Sequence, residues 1–145
     1  MSLITDKFFF NAIRANTAIW DEVGGRVFNP ARSTVDENED RVPYIIITLD
    51  GVTNDTGTKD DVEGNTDTVQ IGVLCVHHDR ESLGALTEAV RNQCIDYLHL
   101  AEEGQVQTDD SIIPIDWTFM AEGVQYDEMK PCVYQQLHYT CDTKR

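Results

Sequence analysis

At 145 residues with a net charge of -15, from 11 Lys plus Arg against 26 Asp plus Glu, the chain has single-domain length. Its acidity repels phosphate backbones and disfavours tight non-specific nucleic-acid binding. Apolar residues at 41% and charged residues at 26% exclude wholesale disorder and fibrous repeats. No run approaches the roughly 18 apolar residues that cross a bilayer, and MSLITDKFFF lacks the basic region and sustained apolar core of a secretory signal. One soluble domain over residues 1–145, with no membrane association, is the expectation.

Taken in order, Ile4 to Asn16 predicts a helix with Ile4, Phe8, Ala12 and Ala15 on one stripe and Phe9 and Ile13 beside it. Ile19, Trp20 and Val23 extend it until Gly24 and Gly25 stop it. Arg26 to Phe28 reads as a short strand ended by Asn29 and Pro30, and a polar loop with the acidic knot Asp36, Glu37, Glu39 and Asp40 follows. Pro43 to Leu49 is β-branched on both faces and predicts a central strand. Asp50 to Asn65, rich in Gly, Asp, Asn and Thr, reads as a long connection or the tip of an extended hairpin.

The stretch from Thr66 to Leu98 is the strongest unit. Val69, Ile71, Val73 and Cys75 alternate with Gln70, Gly72, Leu74 and Val76 at the two-residue period of a strand. Asp79 then caps a helix whose stripe is Leu83, Leu86, Val90, Cys94, Tyr97 and Leu98. Polar Ala101 to Asp110 ends it near Gly104. Ile113, Ile115, Trp117, Phe119 and Ala121 face one way and Pro114, Asp116, Thr118 and Met120 the other, with Pro114 pointing to an edge or a strand entrance. Glu122 to Lys130 turns into a final strand in which Val133, Leu137, Tyr139 and Cys141 alternate with Tyr134, Gln136, His138 and Thr140. The fold class is α+β: a mixed, mostly antiparallel sheet of about four to five strands with two helices packed on one face.

Chemistry is sparse. His77, His78 and Asp79 with four cysteines form the one metal-like group, but neighbours in a strand point to opposite faces and no second ligand pair has zinc spacing. They read as the end of a strand beside a helix cap. Cys75, Cys94, Cys132 and Cys141 form no CxxC and lie inside predicted elements, so reduced, packed thiols of an intracellular protein are expected. No register of the Asp50 to Glu63 loop meets the EF-hand pattern. There is no GxSxG elbow, Walker loop or dinucleotide glycine pattern, and Asp60-Asp61 and Asp109-Asp110 are loop carboxylates. No enzyme and no cofactor is expected. From Asn92 to Met129 nine acidic residues occur without Lys or Arg, which suits solvated loops or a surface that faces DNA without holding it.

VGGRVFNPARS, VPYIIITLDG, TDTVQIGVLCVHHDRESLGALTEAVRNQCIDYL and VQYDEMKPCVYQQLHYTC, in that order, resemble the small tail completion, or tail terminator, proteins of long-tailed bacteriophages and prophages. The matching residues include Gly25, Arg26, Val27, Pro43, Tyr44 and Gln70. Ile71-Gly72-Val73 stands where the family often has an acidic or polar residue, and Trp117 with Phe119 is heavier than the family's usual pattern. The resemblance implies a structural protein of the virion head-tail joint, made in the bacterial cytoplasm. It implies a homo-oligomeric ring, read as a hexamer, that ends the tail tube and offers a docking surface for the head. Its partners would be itself, the tail-tube protein, head-connector proteins, and DNA passing through the lumen without tight binding. Candidate interface residues are Asp55, Lys59, Asp60, Asp61, Glu63, Pro114 and Asp116. The alternatives are another neck or baseplate adaptor of the same fold, or a small cytosolic enzyme or metal-binding domain whose foothold is His77, His78 and the thiols.

Overall fold

The computed structural model describes residues 6–28, 42–55, 66–103, 113–127 and 132–144. The elements are α1 (Asp6–Ala15), α2 (Thr17–Glu22), β1 (Val27–Phe28), β2 (Tyr44–Asp55), β3 (Thr66–His77), α3 (Arg80–Glu102), β4 (Ile113–Ala121), β5 (Gln125–Asp127) and β6 (Cys132–Lys144). The fold is α+β, with a mixed, mostly antiparallel sheet and its helices on one face. Among the described residues the sheet has six strands, in the order β1-β2-β3-β6-β4 with β5 also on β6. Of these pairs, β1 with β2 is parallel and the others are antiparallel. The crossover from β3 through α3 to β4 leaves room between them for β6, which is antiparallel to both.

The expected single N-terminal helix is two. Asn16 sits at φ -94 and ψ 103, extended rather than helical, and its Oδ1 accepts the Ile19 N–H at 3.1 Å. An Asn side chain competes with helical backbone bonding and favours a cap, so the chain stops α1 and restarts α2 at that residue. Gly24 at φ 59 and Gly25 at φ 73 end α2 in the left-handed region that glycine alone enters cheaply.

One face of the sheet presents Ile45 and Ile47 of β2, Val69, Ile71, Val73 and Cys75 of β3, and Leu137, Tyr139 and Cys141 of β6, all buried. Phe8, Phe9, Ala12 and Ile13 of α1, Ile19 of α2, and Leu83, Leu86, Val90, Cys94 and Leu98 of α3 cover it. Tyr97, expected on the α3 stripe, lies at its margin with its ring 6.0 Å from Phe8. Asp79 caps α3, accepting the Ser82 N–H at 2.8 Å and the Ser82 hydroxyl at 3.0 Å. Both bonds favour the ionised carboxylate and lower its pKa below the usual value.

Four strand expectations change. β2 is second in the sheet, not central, because β1 covers only Ile45 and Ile46. Its aliphatic character on both sides instead reflects helices on one face and the Phe28–Tyr44 ring contact at 6.2 Å on the other. β2 also runs on through Asp50-Gly51 to Asp55, its ladder with β3 outweighing the turn propensity of those residues, with a register shift between Leu49 and Gly51. In β4 the register with β6 shifts between Pro114 and Asp116, which interrupts the strict alternation expected there. β5 lies within the segment read as a turn. The acidic knot from Asp36 to Asp40 is outside the described residues.

Candidate functional site

The residues that carry the family resemblance meet at one corner of the sheet. Gly25 lets the chain turn under Trp20, whose ring would lie 3.3 Å from a Cβ placed there. The following Arg26 donates from Nε to the Pro43 carbonyl at 3.1 Å, and the Ile45 N–H donates to the Arg26 carbonyl at 3.0 Å. Val27 then pairs with Ile45. Gly25, Arg26, Val27, Pro43 and Tyr44 thus act together as a clamp that fixes β1 against β2. Gln70 is remote from them, paired with Gly51 and Thr140.

His77 strengthens the same end. Its Nδ1 accepts the His78 N–H at 2.8 Å, so the neutral ring carries its proton on Nε2, which lies 3.1 Å from Glu22 Oε1. This ties the last turn of α2 to the end of β3. His77, the last residue of β3, is buried and His78, just past the strand, is exposed, with their rings 5.7 Å apart. Among the described residues no group of three or more His, Cys, Asp or Glu is placed to hold a metal ion.

The opposite end gathers the predicted interface residues. Asp55 pairs with Thr66, Thr66 with Lys144, and Lys144 with Ile113. One row inward, Thr143 pairs with Pro114 on one side and Asp67 on the other, and the next row holds Asp116, Asp142 and Thr68. The Thr68 hydroxyl donates to Asp142 Oδ1 at 2.7 Å. Asp55, Pro114 and Asp116, distant in sequence, therefore share one end of the sheet. Lys59, Asp60, Asp61 and Glu63 lie outside the described residues.

Around Gly72 the face of the sheet away from the helices is polar, whereas Tyr44, Ile46, Leu74 and Val76 on the same face nearer β1 are not. Over Gly72 the Thr48 hydroxyl donates to Asp50 Oδ1 at 2.7 Å, and a Cβ at Gly72 would meet Asp50 at 2.6 Å and Gln136 at 2.5 Å. Thr48, Asp50 and Gln136 can close over this strand only because position 72 has no side chain. Sequence reasoning treated Gly72 as a departure from the family pattern; its packing role depends on two neighbouring strands and has no local signal. On the helix side a groove of about 200 Å3 opens beside β4, lined by Thr87, Glu88, Arg91, Phe119, Ala121, Gln135 and Leu137. The Arg91 guanidinium sits 5.0 Å from the Phe119 ring centre.

None of the four cysteines forms a disulfide, and all four are buried. Burial pushes the Cys75 thiol up, with Cys94 nearby adding to the effect, and pushes Cys94 and Cys141 up to about 12. At neutral pH these three are protonated and poor nucleophiles. Tyr139, between Phe9 at 5.1 Å and Phe119 at 5.2 Å, is fully buried, and its hydroxyl has no hydrogen-bond partner. Desolvation is the main cause raising its pKa, with Cys94 beside it. No described helix is long and apolar enough to cross a membrane.

No protein-family model and no curated protein matches the chain. Among solved structures it is similar to a chain of the "Virion of native gene transfer agent (GTA) particle", with a TM-score of 0.71 and 12% identity. The match spans 99% of this chain and 96% of that chain. At that identity the likeness is one of fold.

Proposed function

We propose that this chain is a structural protein of a phage-like virion that acts by self-assembly and docking, without catalysis. In this reading one domain forms a ring, a hexamer, that ends the tail tube and provides the surface on which the filled head docks. It is made in the bacterial cytoplasm and resides at the head-tail joint of the particle. The observation that carries the reading is the end-to-end fold likeness to a chain of a gene transfer agent virion. The order of sequence elements shared with tail terminators gives it its specific place in the particle.

The chemistry is compatible. A lumen that passes DNA is served by acidic walls, because attraction would hold the duplex and repulsion leaves it mobile. The sheet end bearing Asp55, Pro114 and Asp116, with Lys59, Asp60, Asp61 and Glu63, is the proposed contact region for the tube or the next copy. Mass measurement in solution combined with negative-stain imaging, with and without tail tubes, tests the reading. Rings alone or on tube ends are expected. A strict monomer that neither binds tubes nor limits their length would defeat it.

A further inference from the structure

We infer that copies of this chain join strand to strand, β4 of one pairing antiparallel with β2 of the next, so that their sheets merge into one closed wall. The inference rests on the ring reading above and specifies the junction. β4 ends the sheet, and among the described residues no strand pairs its second side. At the other end β1 covers Ile45 and Ile46 only, so no described strand pairs β2 from Ile47 to Asp55 on that side. Unpaired strand edges are templates for another chain unless charge, a bulge or a covering segment blunts them.

Strand direction decides how such edges can meet. β2, β3, β6 and β4 alternate in direction, each antiparallel to the next. Because their number is even, a head-to-tail neighbour brings its β2 to β4 antiparallel, and the alternation continues unbroken around a ring. An odd number would have forced a parallel junction.

The residues agree. Ile47, Val73, Leu137 and Ala121 form one row across the sheet, and Leu49, Ile71, Tyr139 and Phe119 another. Continuing the rows across the junction sets Ala121 against Ile47 of the next copy and Phe119 against its Leu49. Leu49 is 43% exposed in the single chain, and the groove beside Phe119 and Ala121 opens on the same, helix-bearing side. On the other face the same register sets Met120, 57% exposed, against Thr48. Each edge strand has one register shift, at Leu49/Gly51 and at Pro114/Asp116, which discourages stray strands while leaving this span regular. With the helices outside, the polar face bearing Thr48, Asp50, Gln136 and Asp142 lines the lumen. Six copies, each adding four strands about 4.8 Å apart, give a sheet cylinder on the order of 37 Å across between backbones, and the inward side chains narrow the lumen within it.

The test is a pair of engineered thiols, T48C and M120C, treated with an oxidant or a short bis-thiol cross-linker. The native cysteines are buried and do not compete. The double variant is expected to give a covalent ladder ending at the ring, and each single variant none. Dimers from T48C alone would mean two-fold β2–β2 pairing and would overturn the inference. A ring without the ladder overturns the junction and leaves the ring reading standing, whereas a monomer overturns both. Leu49→Asp, at an exposed position, provides a second readout: it should keep the fold by circular dichroism and lose the ring mass. A full-sized ring from that variant also counts against the junction.

Discussion

Replacing Tyr139 with Phe should make the protein more stable, although Tyr139 is among the largest fully buried side chains. The substitution removes one oxygen and leaves the ring between Phe9 and Phe119. That hydroxyl has left water without gaining a hydrogen-bond partner, a penalty of about 1–3 kcal/mol in protein mutational data. Against this stands the void left by the oxygen. At ~10–15 Å3 and about 24 cal/mol per Å3 it costs ~0.3 kcal/mol. The desolvation term wins, and the net gain is about 1 kcal/mol or more, which at this chain length raises Tm by ~4 °C. Urea unfolding should show a higher midpoint with an unchanged slope, since the surface exposed on unfolding barely changes. If the Phe variant instead lost 1 kcal/mol or more, the hydroxyl would have to be bonded, with the Cys94 thiol its candidate partner. A double-mutant cycle with Cys94→Ala separates the cases: coupling near zero supports the unpaired hydroxyl, and coupling above about 0.5 kcal/mol refutes it.

Other consequences follow from the same core and its caps. Burial raises the thiols of Cys75, Cys94 and Cys141 above the ordinary thiol range, the latter two to about 12. Their stabilisation is complete below the unfolded thiol pKa and is lost as pH rises toward the folded values. Chemical denaturation should show stability falling by about 1.5 kcal/mol per thiol at pH 10; a flat profile from pH 8 to 11 would refute this. At neutral pH a thiol reagent should modify none of the four buried cysteines until denaturant is added, and rapid native labelling would contradict their packing. Asn16→Ala removes the bond to Ile19 N and should cost about 1 kcal/mol in thermal unfolding, with Asp or Ser restoring most of it. Gly25→Ala must hold a side chain at φ 73 against the Trp20 ring, and a loss of about 1 kcal/mol or more is expected in the same assay.

The face assignments were legible because they depend on local period. Val69 to Cys75 in β3 and Leu83 to Leu98 in α3 bury the residues that the alternation and the helical stripe select, except Tyr97 at the stripe's margin. Pro114 likewise marked a strand that does lie at the sheet edge. Features settled by distant partners were not legible. Asp50-Gly51 has turn composition, yet β3 opposite it keeps it in a strand. Asn16 looked like a helix residue until its side chain took the Ile19 N–H and its amide faced Gln93 Oε1 at 3.4 Å. The candidate interface was half legible. The sequence puts Asp55 in a polar connection and marks Pro114 as an edge or strand entrance, but only the order β2-β3-β6-β4 brings them to one end.

That arrangement gives the molecule a direction. At one end Arg26 on Pro43, Val27 on Ile45 and His77 on Glu22 lock helix, short strand and sheet together. The helix-covered core fades toward the other end: Ile45 and Ile47 are fully buried, but Leu49 and Val52 farther along the same strand are 43% and 42% exposed. The ladders nevertheless continue to Asp55, Thr66, Lys144 and Ile113. A strand continued past its covering layer buries little apolar surface of its own, so within one chain its ordering is supported mainly by backbone pairing. Such an extension gains most from contacts outside the chain. A neighbour that covers Leu49 and pairs the edge of β2 would supply the burial that the helices of the same chain do not reach.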